Sequence, residues 1–361
     1  MFVNMKLLTL VLTVAVALSL VSSAQAGTLI AGQDYRGTDT SVNSLQAFDT
    51  GTGNLLWEKH AGSAKGGDLD PITGDLVVAE GGLGLVGPGK DSVTRHNPLT
   101  GAPVGTAFNH GMGFASGIAV HPDTGDLYLS SGVSSPGPGH NGIRRFDSSG
   151  GNLLDFTGLP GLSTGFSPKW LVTGENRLFV NTATQRSPKA FIVNGTNDGL
   201  ILSGQFQVAG ASGSTEQLNV NQNDNNPYHT NVQGSTVYAW DNGDSSVAAS
   251  PVIVLTDTTN LQGASGLAWD DDGNLYVTEN GQAPGTDPNV EIWKYAPTGT
   301  TTVGSQTVNT YSTGALFAVI EDTLGYNSPG TFLLYSPIPE PSSLLLIAMA
   351  VVGMMGLARQ R

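Results

Sequence analysis

The sequence contains no cysteine in 361 residues. Disulfides and thiolate metal sites are therefore excluded, so the chain must be held together by packing and hydrogen bonds alone. Cations are scarce as well: 15 Lys and Arg stand against 29 Asp and Glu, for a formal charge of −14. The two ends hold three of the cations (Lys6, Arg359, Arg361) and one acid (Glu340), which leaves residues 27–336 near −16. A body this acidic repels phosphate backbones and anionic lipid, which argues against nucleic acid or a charged membrane surface as a partner. Charged residues amount to only 12%, so neither a helical bundle nor a charge-driven disordered chain fits the composition. What the chain does have is glycine, 49 residues, far above the usual share of about 7%. With Thr, Ser and Asn, that glycine suits many short strands joined by tight turns.

The ends differ from the rest and are set aside before fold reasoning. Residues 1–26 read as a secretory signal, with Lys6 as the positive region, Leu7 to Val21 as the apolar stretch, and Ala24 and Ala26 as small cleavage-site residues. At the other end, Ile338-Pro339-Glu340-Pro341 precedes an apolar run from Leu344 to Ala358, followed by Arg359 and Arg361. The prolines hold Glu340 in extended chain. The run spans about 22 Å as a helix, short of a hydrocarbon core of about 30 Å. The closing arginines suit the cytoplasmic side.

These three parts in this order resemble the PEP-CTERM sorting signal. The resemblance implies recognition of Pro339, Glu340 and Pro341 by a membrane-embedded exosortase, which would process the tail and release or re-anchor the protein. It further implies a Gram-negative source that builds exopolysaccharide, transient anchoring in the inner membrane, and a final place at the cell surface or in the extracellular matrix.

Between the ends the sequence repeats. An apolar strand, a polar turn and a second strand occur as Leu45 to Asp49 before Gly53-Asn54-Leu55-Leu56, and again as Ile143 to Asp147 before Gly151-Asn152-Leu153-Leu154. Looser copies place equivalent positions at 48, 96, 146, 193, 240 and 295, a spacing of roughly 48 residues. A second hairpin motif interleaves with it, at Asp68 to Val78, Gly117 to Leu129 and Gly266 to Val277, and more weakly at Leu171 to Val180. The copy near residues 216–240 is degenerate, with an Asn-rich loop from Asn219 to Asn226 where the hairpin should turn.

Four short strands per unit point to an all-β fold, a β-propeller over residues 27–336. Six four-stranded blades are expected. Thr28 to Ile30 with the Leu45 and Leu55 strands form the outer part of the first blade, and Ala315 to Ile320 supplies its missing inner strand. Seven blades result if Gly330 to Tyr335 belongs to an extra, incomplete one. Residues 337–361 then form the sorting signal with a single hydrophobic helix. The hairpin copies, Gly273-Asn274-Leu275-Tyr276-Val277-Thr278 above all, resemble NHL-type and SMP-30/gluconolactonase-like propeller repeats.

Catalytic motifs are absent from the body. No histidine pair has zinc-helix spacing, glycine runs such as Gly81 to Gly84 lack the Lys-Ser/Thr of a phosphate loop, and no Gly-x-Ser-x-Gly elbow occurs. Asp270-Asp271-Asp272-Gly273-Asn274 offers several oxygen donors but lacks the later Glu of an EF-hand loop, and such turns use Asp, Gly and Asn simply to reverse the chain. His121 beside Pro122 reads as a turn residue. Glu80, Glu279 and Asn280 at the ends of second strands, and His110 ahead of an inner strand, are the candidate contacts at a channel mouth. SMP-30-like enzymes bind a divalent metal there through Glu, Asn and Asp, so the resemblance leaves room for Ca²⁺. No other cofactor is expected. The reading is a non-catalytic surface propeller that binds exopolysaccharide or another envelope component, touching the membrane only through its C-terminal helix. A metal-dependent lactonase is the alternative.

Overall fold

A computed structural model describes residues 27–33, 44–59, 64–80, 92–112, 115–131, 142–157, 165–170, 177–182, 189–194, 199–205, 218–230, 234–241, 251–279, 290–320 and 330–337. The signal segment, the sorting motif and its apolar run lie outside these residues, as does Asn280. Among the described residues no helix is long and apolar enough to cross a membrane.

All described regular structure is β. The strands are β1 (Thr28–Gln33), β2 (Leu45–Asp49) and β3 (Leu55–Lys59); then β4 (Ala64–Leu69), β5 (Leu76–Glu80), β6 (Ser92–His96) and β7 (Phe108–Asn109). Next come β8 (Ala115–Val120), β9 (Leu127–Ser131), β10 (Gly142–Phe146) and β11 (Asn152–Thr157). They are followed by β12 (Gly165–Trp170), β13 (Arg177–Thr182), β14 (Lys189–Asn194) and β15 (Gly199–Gln205). The last groups are β16 (Leu218–Asn221), β17 (Asn226–Thr230), β18 (Thr236–Ala239) and β19 (Val252–Thr256), then β20 (Ala264–Trp269), β21 (Leu275–Glu279), β22 (Val290–Val303) and β23 (Gln306–Ile320). A final strand, β24 (Gly330–Ser336), completes the set.

These strands pair into six four-stranded sheets. Five are plain antiparallel meanders of consecutive strands; the sixth has the order β24-β1-β2-β3 and joins the two ends of the body. The inner strands β24, β4, β8, β12, β16 and β20 neighbour one another in that order, and β20 returns to β24. The result is a closed, β-propeller-like body.

Two expectations are corrected here. Ala315 to Ile320 does not close the first sheet, because it is the far part of β23, paired with Val290 to Lys294. Gly330 to Tyr335 is not an extra unit, because β24 lies along β1 in register from Thr28↔Ser336 to Gly32↔Phe332. Both segments are apolar strands, and only partner choice over long range separates them.

The cores are seams between sheets. Leu29, Phe48, Tyr276, Ile292, Ile320 and Leu333 fill one seam, and Val77, Val93, Ile118, Leu129 and Phe146 another. Each sheet thus buries its faces against its neighbours, which requires the ring to close. Near the axis the strands crowd together: a Cβ at Gly66 would stand 2.4 Å from the Cα of Gly117, so side chains are excluded there.

One local device makes the turns. In the β4–β5 hairpin, Asp70 accepts from the N–H of Ile72 at 2.9 Å, while the Gly74 N–H reaches the Asp70 carbonyl at 2.7 Å with Gly74 at φ +76. The β8–β9 turn repeats it with His121 and Gly125. The Asn-rich loop does turn after all: Asn221 plays the part of Asp70, and Asn225 at φ 57 takes the glycine position. Asn tolerates that left-handed backbone better than other non-glycine residues.

Strand β24 buries Phe332, Leu333, Leu334 and Tyr335, each contributing about 1.5–3 kcal/mol, a sum comparable to the whole stability of a typical domain, about 5–15 kcal/mol. A chain ending at residue 329 should therefore lose cooperative thermal unfolding by circular dichroism, while one ending at residue 337 keeps it. Equal midpoints for the two would refute closure by β24.

Candidate functional site

A cavity of about 510 Å³ opens where the inner strands end, lined by Asp68 to Asp70, Val120, Asn219, Val220, Ala268, Trp269 and Leu334 to Pro337, together with the β4–β5 turn. These are the carboxyl ends of inner strands from five sheets, so the cavity sits on the ring axis at one end. Its wall is chiefly apolar: Leu69, Val120, Val220, Trp269, Leu334 and Tyr335, with prolines 71, 98, 122 and 337 at the rim.

The polar groups of the wall hold the ring. Asp68 accepts from the Val120 N–H at 2.9 Å, across the seam to the next sheet. Asn219 donates to the Leu267 carbonyl at 2.7 Å across another seam, while its side-chain oxygen takes the Val220 N–H at 2.9 Å. The Tyr335 hydroxyl donates to Asp271 at 2.8 Å and ties the closing strand to the β20–β21 turn. Burial, with the Asp271 carboxylate beside it, pushes this phenol well above its ordinary value, so it stays a donor. Burial opposes ionisation of Asp70, but hydrogen bonds from Arg95 at 2.6 Å and from the Ile72 and Thr73 N–H groups outweigh it and hold the carboxyl below the ordinary value. No described lining residue is a cation.

The residues singled out from the sequence lie elsewhere. Glu80 and Glu279 end β5 and β21, second strands that run back from the cavity, so they stand at the opposite end of their sheets. Glu80 accepts from Ser92 at 3.0 Å and Thr94 at 2.9 Å, both on the next strand outward. The Glu279 carboxylate accepts the Gln262 N–H at 3.1 Å. His110 is buried beside Glu80: its Nδ1 accepts the Met112 N–H at 3.1 Å, so the proton sits on Nε2, which donates to the Glu80 carbonyl at 3.0 Å. Glu80 and His110 are therefore brought together, whereas Glu279 belongs to another sheet. Among the described residues no group of three or more His, Asp or Glu side chains is placed to hold a metal ion. Asp270 anchors its own turn, accepting from Asn274 at 2.8 Å and from the Tyr276 hydroxyl at 3.0 Å. His121 is the first residue of its turn. Among the tryptophans that could stack on a sugar if exposed, Trp240 is fully buried and Trp293 packs against a seam, while the side chain of Trp170 is outside the described set. Trp57 packs between the first two sheets and donates to the Pro98 carbonyl at 3.0 Å.

Residues 337–361 match the model of the PEP-CTERM protein-sorting motif. The chain carries a PEP-CTERM sorting tail. The motif implies recognition by an exosortase, export, and a membrane-anchored passage before display at the surface. No curated protein matches the chain by sequence. Among solved structures, a proposed 6-phosphogluconolactonase from Bacteroides fragilis is similar at 15% identity and TM-score 0.54, covering 82% of this chain and 83% of that one. A second proposed 6-phosphogluconolactonase, from Bacteroides uniformis, is similar at 12% identity and TM-score 0.53, covering 79% and 82%. A Bacteroides caccae protein of unknown function is similar at 12% identity and TM-score 0.51, covering 87% and 100%. At such identities the likeness concerns the fold alone.

One buried group has a measurable consequence. His229 on β17 is wholly enclosed, accepts the Trp240 indole N–H at 2.7 Å through Nδ1, and its Nε2 has no hydrogen-bond partner. Burial lowers its pKa from 6.5 to about 3. Between those values the unfolded state binds the extra proton, so stability is full above pH 6.5 and falls with pH below it, by up to about 1.4 kcal/mol per unit. Burial lowers His96 and His121 in the same direction. Urea midpoints should thus drop between pH 7.5 and 5, and His229→Gln should make that drop shallower. An unchanged slope would refute the assignment.

Proposed function

We propose that this is an exported binding protein: a six-bladed propeller of a Gram-negative cell surface or exopolysaccharide matrix, led out by the signal at residues 1–26. On this reading an exosortase takes it over through Pro339, Glu340 and Pro341, and the apolar run with Arg359 and Arg361 anchors it in the inner membrane only in transit. The six sheets and their ring of inner strands support the blade count.

The observation that carries the binding reading is the commitment of the cavity's polar groups. Asp68 and Asn219 hold neighbouring blades together, so neither is free to move a proton without loosening a seam. An apolar wall with a few fixed polar groups is suited to orienting a ligand. The charge pattern narrows the ligand further. Behind the lining, Arg95 lies 2.6 Å from Asp70 and 3.9 Å from Asp75. Three carboxylates, Asp68, Asp70 and Asp75, with no cation among the described lining residues, still disfavour a phosphorylated or acidic sugar and favour a neutral one, such as a short segment of extracellular polysaccharide.

The neighbours' proposed lactonase activity makes the test concrete. The purified chain should bind neutral oligosaccharides in calorimetry, with chelator present or absent, and leave gluconolactone and its 6-phosphate unhydrolysed. Gln222→Trp, which adds bulk to the cavity lining from an exposed turn position, should weaken binding at least about tenfold while the melting curve stays cooperative. Metal-dependent lactone turnover would overturn the reading and favour an SMP-30-like hydrolase.

A further inference from the structure

The two processed ends of the chain leave the body at one place. The residue that follows the expected cleavage site, Gly27, immediately precedes β1, and Thr28 pairs directly with Ser336 at the end of β24. Gly27 lies against the Tyr335 ring so closely that a Cβ there would stand 2.0 Å from it, and its carbonyl accepts the Thr50 N–H at 3.0 Å. Ser336 and Pro337 in turn line the mouth of the axial cavity. Leader junction, tail junction and cavity thus share one end of the ring.

We propose that this end faces the bilayer while the protein is anchored, so that the ligand cavity is turned toward the lipid headgroups and opens to the matrix only after the tail is cut. The proposal rests on the reading of residues 338–361 as a membrane-inserted sorting tail. Ser336 is fixed in the sheet, and the apolar run begins at Leu344, so the tether is eight residue steps, or at most about 29 Å even when fully extended. Four of the six inner strands have six residues, which makes the ring about 20 Å deep. To reach the bilayer past the far end, a tail leaving an inner strand would have to cross a four-stranded sheet, about 14 Å, and then that depth, a longer path than the tether spans.

The body does not adhere by charge. Asp75, Asp123, Asp271 and Asp272 stand on the turns of this end, and they oppose anionic lipid. Ile72, 57% exposed, and Leu99, 38% exposed, add some apolar surface beside the cavity, but each stands among polar turn residues. The tether sets the orientation, and cutting it frees the body.

The natural absence of cysteine makes the test direct. The full chain is reconstituted in phosphatidylcholine vesicles with a single dye at Thr73→Cys or Thr124→Cys on the cavity end, or at Thr259→Cys on the far end, and energy transfer to a headgroup acceptor is measured. Transfer from Thr73→Cys and Thr124→Cys should exceed that from Thr259→Cys about threefold, given the depth of the ring. Inserting about 20 Gly-Ser residues after Pro337, a coil of roughly 25 Å, should erase the difference, and a chain ending at Pro337 should not bind the vesicles. Equal transfer from both ends in chain that floats with the vesicles overturns the orientation alone. A full chain that does not float overturns the sorting-tail reading and the orientation with it.

Discussion

Everything in this structure depends on the pairing of β24 with β1. Each sheet has two faces, and each face is buried only because another sheet stands against it. A ring is the arrangement that leaves no face over, and the first sheet lacks its inner strand until the last stretch of the body arrives. Five antiparallel partner pairs, from Thr28↔Ser336 to Gly32↔Phe332, make that join. The Tyr335 hydroxyl then carries it across to Asp271 in the neighbouring sheet. The contact spans nearly the whole body in sequence, so its loop-closure entropy is large. Four consecutive buried apolar side chains on β24 offset that cost.

How much of this could be read from the sequence depended on range. The turns were legible because their chemistry is local: an Asx side chain caps the N–H two residues on, and a left-handed residue completes the loop, as at Asp70 and Gly74. Where Asn225 replaced glycine, the pattern looked broken although the geometry is the same. The closing strand was misplaced because Ala315 to Ile320 and Gly330 to Ser336 have the same apolar character, and nothing local says which one travels back to Thr28. Glycine was assigned to turns, and many do turn the chain. Gly66 and Gly117 instead serve the crowded axis, where two backbones approach too closely for any side chain.

The candidate site was harder to read for a related reason. Glu80, His110 and Glu279 attract notice as chemistry-bearing residues near strand ends, yet strand direction puts the two glutamates at the end of their sheets away from the cavity. The cavity itself is made of Leu69, Val220, Trp269 and Tyr335, which in sequence are indistinguishable from core. Only the convergence of five strand ends turns them into a binding wall. The Pro-Glu-Pro tail was legible because it is read as an extended peptide, and linear order is all it needs. What the sequence could not convey is where that tail leaves the ring, beside the leader junction and at the mouth of the cavity.

The central claim is that β24 is part of the folded ring and not a linker to the tail, and hydrogen exchange on the intact protein tests it most directly. The amides of β24 that pair with β1 should exchange only through global unfolding, with the same protection as the amides of β1. If β24 exchanges at the rate of an unstructured segment while β1 and β2 remain protected, the ring is not closed by its C-terminal strand and the account fails.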